Sequence, residues 1–70
     1  MPYAHNHDLP PAVRAHLPAH AQDIFREAFN HALTEYANEG ETAAFRVAWS
    51  AVKRGYKKVG AAWVPKPKRA

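Results

Sequence analysis

The 70-residue sequence contains no cysteine, one serine and no long apolar run. Without cysteine, neither a disulfide framework nor a thiolate metal site can form, which suits a reducing compartment. The first residues, Met1-Pro2-Tyr3, lack the layout of a signal peptide, and a membrane span needs about 20 apolar residues. We therefore expect a soluble, cytoplasmic protein with no membrane span.

Residues that commonly carry out catalysis are also scarce. Ser50 has no histidine near it in the sequence, and three scattered glycines make no phosphate-binding loop. Asp23 and Glu27 are four residues apart, and an exposed acidic helix face explains them better than paired acid–base chemistry. We predict no enzyme activity, no cofactor and no small-molecule substrate.

Negative charge is absent from the C-terminal half of the chain. Residues 1–41 contain all six acids and two arginines, a net charge of −4, whereas residues 42–70 contain eight basic residues and no acid, a net charge of +8. Such asymmetry indicates an anionic partner for the C-terminal half, such as nucleic acid, lipid headgroups or an acidic protein loop. The alternative is a basic tail that only keeps the protein soluble.

Two Leu-Pro pairs, Leu9-Pro10 and Leu17-Pro18, mark the starts of two helices. Proline fits the first turn of a helix and keeps the residue before it extended. We predict a short helix over residues 10–16 and the longest helix over residues 18–38. The longer helix has apolar residues spaced by three and four: Ala21, Ile24, Phe25, Ala28, Phe29, Ala32 and Tyr36.

A third helix, of medium length, is predicted over residues 41–54, between Gly40 and Gly55. One face of this helix carries Phe45, Ala48, Trp49 and Val52. Because this face and that of the second helix form the core, we expect Trp49 to lie close to Phe29.

The segment after the third helix favours extended structure, because it contains Tyr56, Val59, Trp63 and Val64. Gly60 can turn it into a hairpin, to which Pro2-Tyr3 adds a strand. The predicted fold is mainly α, a compact three-helix domain with a small C-terminal β-hairpin or sheet over residues 1–64. Residues 65–70 are predicted to form a disordered, basic Pro/Lys tail.

The histidines do not have the pattern of a metal site. His16 and His20 have the spacing of two ligands on one helix, but Pro18 between them bends the chain. We therefore predict surface histidines that bind metal weakly at most. The other three histidines are His5, His7 and His31.

The candidate binding surface is the basic C-terminal half, where cations alternate with Tyr56 and Trp63. Cations neutralise phosphates and aromatic rings stack on bases, although a core this small needs its aromatic rings. The candidate partner-binding residues are Lys53, Arg54, Lys57, Lys58, Lys66, Lys68 and Arg69. We expect the first three to face one partner, because they fall within about one helical turn.

The Leu-Pro pairs are followed, in order, by "HAQDIFREAFN", "VAWSAVK" and Trp63. In these motifs and their spacing the chain resembles the ChaB family, from Pro2 to Trp63. Members are small bacterial proteins, also found in some viruses, that are described as cation transport regulators. One departure is the connection near residues 38–41, which is shorter here than the long, highly charged connection of the best-known members.

The resemblance implies a compact helical fold with a small β-sheet, a role near a Na⁺/H⁺ or Ca²⁺/H⁺ antiporter, and no catalytic residues. We therefore expect a non-enzymatic regulator or adaptor that acts through protein contacts, with a cation antiporter as the protein partner. The alternative is a small nucleic-acid-binding protein that uses its basic C-terminal half, because some relatives occur with nucleic-acid-binding segments.

Overall fold

Three helices and a two-stranded antiparallel sheet form the domain, in a computed structural model that describes residues 2–67. The helices are α1 (Pro11–His16), α2 (Ala19–Glu35) and α3 (Gly40–Gly55). The strands are β1 (Tyr56–Val59) and β2 (Ala62–Pro65). Short 3-10 turns lie before α1 (Asn6–Asp8) and between α2 and α3 (Ala37–Glu39). The predicted mainly α fold with a C-terminal hairpin is therefore confirmed.

Each Leu-Pro pair places a leucine in the core immediately before a helix. Leu9 and Leu17 are both buried and extended, with ψ of 154° and 134°. Pro18 is itself extended and precedes the first residue of α2. Since proline disfavours helical geometry in the residue before it, α1 ends at His16 and α2 begins in a new direction. The prolines thus produce the corner between α1 and α2.

The connection between α2 and α3 begins earlier than the sequence predicts. The longest helix was expected to reach residue 38, but α2 ends at Glu35 and the chain tightens into a 3-10 turn. Gly40 then takes a φ of +74°, a left-handed value that glycine adopts without a steric penalty. This glycine begins α3, so it redirects the chain between two helices.

Phe25 and Phe29 of α2 are fully buried at the centre of the core. The Phe25 ring lies 5.0 Å from that of Trp49 and meets it edge-on, whereas the Phe29 ring lies 4.8 Å from that of Phe45. Trp49 therefore packs against Phe25, which lies one helical turn from its predicted partner, Phe29. Because α2 and α3 run in opposite directions, a residue one turn later on α3 meets a residue one turn earlier on α2.

The N-terminal segment packs along α2 and does not join the sheet. Tyr3 N–H donates to Asn30 Oδ1, and Asn30 Nδ2 donates to the Tyr3 carbonyl, both at 2.8 Å. The Tyr3 ring lies 4.9 Å from that of Phe29. A third strand at Pro2-Tyr3 is therefore wrong, because one side-chain amide satisfies the backbone groups that a neighbouring strand would pair.

The hairpin follows α3 without a loop and turns at Gly60, which has a φ of +63°. Lys58 pairs with Trp63 across the strands, and Tyr56 pairs with Pro65. Lys66 N–H then donates to the Gly55 carbonyl at 2.9 Å. Backbone pairing thus includes Pro65 and Lys66, the first residues of the predicted tail, whereas residues 68–70 of that tail lie outside the described part of the chain.

Candidate partner-binding surface

The predicted cations that the structure describes lie on several elements of the C-terminal half. Within residues 2–67 they occupy exposed positions in the last turn of α3, on β1 and directly after β2: Lys53, Arg54, Lys57, Lys58 and Lys66. The remaining two candidates, Lys68 and Arg69, lie outside the described residues. Lys53 and Arg54 lie on α3, whereas Lys57 lies on β1, so the three cations do not share one helical turn. That they face one partner stays a prediction.

Two of these lysines lie at an open groove of about 340 Å³, which we call the tryptophan groove. It is lined by Ala12, His16, Trp49, Lys53, Lys58 and Trp63. Lys53 follows Trp49 by four residues on α3, a spacing that places both on one side of a helix. Lys58 is opposite Trp63 in the antiparallel pair, so these side chains share one face of the hairpin.

The two indoles of the tryptophan groove lie against each other. Their ring centroids are 5.7 Å apart and their planes differ by 30°. Both rings are half-buried, and Trp49 also packs edge-on against Phe25 in the core. The indoles therefore offer a preformed apolar surface whose position is fixed by the core.

Helix α1 contributes Ala12 and His16 to the lining of the tryptophan groove. His16 Nδ1 lies 3.4 Å from the carbonyl oxygen of Ala61 in the hairpin turn. These residues are 45 positions apart in sequence. Because no local sequence pattern links residues so far apart, His16 is not among the predicted residues of the candidate surface.

The lysines of the tryptophan groove have no acidic partner within the described residues. The ion pairs there join Asp8 to His7 and Asp23 to Arg26, and none includes a cation of residues 42–67. An exposed ammonium group without a nearby carboxylate keeps its full attraction for an external anion.

Arg54 contributes to a different groove, between α2 and α3, with a volume of about 400 Å³. We call it the arginine groove, and it is lined by Ala28, His31, Tyr36, Arg46, Val47, Ser50, Ala51 and Arg54. Arg46 is not among the predicted partner-binding cations, which begin at Lys53. The spacing of Arg46 and Arg54, about two helical turns, is the signal that points to a shared side.

Within the described residues, no three histidine, aspartate or glutamate side chains come together as metal ligands would. None of the helices described is both long enough and apolar enough to pass through a bilayer.

These features define a class of protein: a small helical domain, closed by a β-hairpin, with a basic and aromatic surface built from its C-terminal half. The chain belongs to the ChaB family, whose model matches residues 9–66.

Relatives from Escherichia coli strain K12 and from Shigella flexneri are each named "Putative cation transport regulator ChaB". Each is 46% identical to this chain over a 66-residue comparison. The match covers 83% of this chain and 87% of the relative. The NMR solution structure of a protein of the same name superposes with a TM-score of 0.82 at 41% identity. The match covers 94% of this chain and all of that structure, and it confirms both the predicted family and the predicted fold.

Proposed function

We propose that this protein is a non-enzymatic regulator of a cation/proton antiporter in the cytoplasm, and that it acts by binding an acidic protein segment in the tryptophan groove. Its relatives are named as cation transport regulators, which supports a role in transport. The observation that carries the proposed site is the position of Lys53 and Lys58, each beside a half-buried indole and without an acidic partner in the described chain.

The chemistry of the groove favours a segment in which acidic and apolar side chains are close together. The two ammonium groups can each donate hydrogen bonds to a carboxylate, and the indoles bury an apolar neighbour. An ion pair at the edge of an apolar surface is shielded from water, so it is stronger than a fully exposed pair. Because Trp49 and Trp63 are already held by the core, binding orders few side chains.

A protein segment fits this groove better than a nucleic acid does. Sequence-independent binding of single strands relies on aromatic rings whose faces are open for base stacking. Here the two indoles lie against each other, and Trp49 also packs on Phe25. The rings therefore serve as the floor of a groove.

A photo-crosslinking amino acid at Ala61, beside His16 at the groove, tests the proposal in a bacterial host that contains a cation antiporter. The same crosslinker at Thr34, an exposed position on α2, is the positional control. We expect an adduct between the Ala61 variant and an antiporter, and none from Thr34. The adduct is expected to disappear in the double variant Lys53→Glu and Lys58→Glu.

A matched charge control is the double variant Lys57→Glu and Lys66→Glu, which changes net charge equally at residues that do not line the groove. It is expected to keep the adduct. Loss of the adduct in both double variants would show that net charge alone attracts the partner. Adducts that nuclease treatment removes would instead establish nucleic acid as the partner and contradict the proposal.

A further inference from the structure

The arginine groove is separate from the tryptophan groove and is lined by different residues of α3. We propose that it docks an amphipathic helix with acidic flanks from a protein partner, and that the domain therefore has two binding surfaces. This inference is independent of the proposed regulation of an antiporter. It follows from the floor of the groove, its walls and its charge.

The floor is apolar and consists of small side chains. Ala28 of α2 and Val47 and Ala51 of α3 are half-buried. Tyr36, which is 44% exposed, lies at one end. Small side chains leave a shallow depression between two helices, into which the larger side chains of a third helix can pack.

The groove continues along α3 into a neighbouring cleft of about 210 Å³, which shares Tyr36, Arg46 and Val47 with it and is also lined by Glu39 and Ala43. From Ala43 to Arg54 the path follows α3 for about 16 Å, at a rise of about 1.5 Å per residue. A docked helix of about three turns has the same length.

The walls favour a helix over an extended segment. Both walls are helices, whose backbone donors and acceptors are bonded within the helix, and neither strand borders this groove. An extended segment would find no backbone partners here, whereas a helix satisfies its own backbone groups.

The charge of the rim favours acidic flanks, because Arg46 and Arg54 outnumber Glu39, the acid that lines the adjoining cleft. Arg46 and Arg54 are exposed and take part in no ion pair within the described residues. A guanidinium group binds a carboxylate through two parallel hydrogen bonds. The two arginines are about two helical turns apart, so two glutamates seven residues apart on the docked helix match them.

The test uses two blocked 15-residue peptides of identical composition. One has leucine at i, i+3, i+4, i+7 and i+11 with glutamates seven residues apart on its flanks, and the other is a scramble without a continuous apolar face. Fluorescence anisotropy gives the affinity, and amide chemical shifts locate the site. We expect the amphipathic peptide to bind about tenfold or more tightly than the scramble, with shifts at Ala28, Val47 and Ala51.

The double variant Arg46→Glu and Arg54→Glu is expected to weaken binding of the amphipathic peptide by about tenfold or more. Lys53→Glu with Lys58→Glu makes the same charge change on the tryptophan groove and is expected to alter that affinity by about twofold at most. Ala51→Leu fills the floor without changing charge and is also expected to block the peptide. Circular dichroism verifies that each variant is folded.

Equal binding of the two peptides would overturn the proposal in favour of nonspecific polyanion binding. Shifts confined to Trp49 and Trp63 would also overturn it, because the tryptophan groove would then be the only site. Sedimentation of the free protein as a dimer, with Val47 and Ala51 at the interface, would show that a second copy covers the groove. Since the tryptophan-groove variant is the control, these failures are distinguishable from failure of the proposed function.

Discussion

The N-terminal and C-terminal halves of the domain use polar side chains in opposite ways. In the N-terminal half, residues 2–8, which we call the leader, form hydrogen bonds with α2: Asn6 Nδ2 donates to Asp23 Oδ1 at 2.6 Å, and Arg26 Nε donates to Asn6 Oδ1 at 2.8 Å. Asn30 holds both backbone groups of Tyr3. Within residues 42–67, in contrast, no side chain takes part in an ion pair, and none forms a hydrogen bond to another described residue.

The difference separates structural polar contacts from polar groups available for binding. Side-chain hydrogen bonds in the N-terminal half tie the leader to α2 and protect one side of the core. The exposed cations of the C-terminal half contribute little to folding, because a solvated lysine without a partner gains nothing when the chain folds. These cations are therefore the groups to which the proposed binding is assigned.

The largest effect is expected from Phe25, where the two halves meet in the core. Replacing it with alanine removes ring contacts with Phe29, Phe45 and Trp49, and the cost is about 3–5 kcal/mol of unfolding free energy. Urea denaturation followed by tryptophan fluorescence measures the change. Tyr36→Ala, at an exposed ring, is the control. A loss below about 1 kcal/mol at Phe25 would mean that the halves do not share one core.

A smaller effect is expected from the two hydrogen bonds between the Asn30 side chain and the backbone of Tyr3. Asn30→Ala removes both hydrogen bonds to Tyr3 and leaves partly buried backbone groups without partners, at a cost of about 1–3 kcal/mol. Asn38→Ala, in the exposed turn before α3, is the matched control and should change little. Amide hydrogen exchange at Tyr3 should become faster in the Asn30 variant alone. An unchanged exchange rate at the Tyr3 amide would show that these hydrogen bonds do not hold the leader against α2.

Neutralising the unpaired cations should barely change stability. Lys53→Gln together with Lys58→Gln is expected to alter the unfolding free energy by less than about 0.5 kcal/mol. Asp23→Asn with Arg26→Gln removes charge from the bonded half and should destabilise the domain measurably more. If the lysine variant were the less stable of the two, the contrast between the halves would be wrong.

The smallest effect concerns alkaline pH. Burial, and then the nearby Glu41 carboxylate, raise the pKa of Tyr3 above its ordinary value of 10.0. The folded state therefore favours the neutral phenol, so this contribution is present below the ordinary pKa and is lost as pH rises through the raised one. Stability should decline less steeply above pH 10 in Tyr3→Phe than in the wild-type protein. Identical slopes would show that Tyr3 is not involved.

The sequence predicted the features that depend on local geometry. Leu-Pro pairs and apolar spacing indicated three helices, and Gly60 between strand-forming residues indicated the hairpin. It could not predict contacts that depend on how these elements pack. The pairing of Trp49 with Phe25 depends on how far α3 is shifted along α2. The approach of His16 to Ala61 depends on the angle at which α1 packs on the rest of the domain.

The candidate surface likewise has features that the sequence predicts and features that depend on how the elements pack. Composition located the excess of cations in the C-terminal half, but the packing of α3 against α2 and the hairpin places Lys53 with Lys58 in one groove and Arg54 in another. The hydrogen bonds between Asn30 and Tyr3 could not be predicted from the sequence either, because a side-chain amide takes the place of the strand expected to pair with Tyr3.

The most direct test of the contrast is an amide and indole chemical-shift titration of the protein with poly-L-glutamate at low salt. The account predicts shifts at the indole N–H groups of Trp49 and Trp63 and at the amides of Lys53 and Lys58, which reverse as salt is added. The leader and its bonds to α2, around Tyr3, should remain unchanged. Shifts spread evenly over both halves, or none at the indoles, would contradict the claim that the unpaired cations form a binding surface.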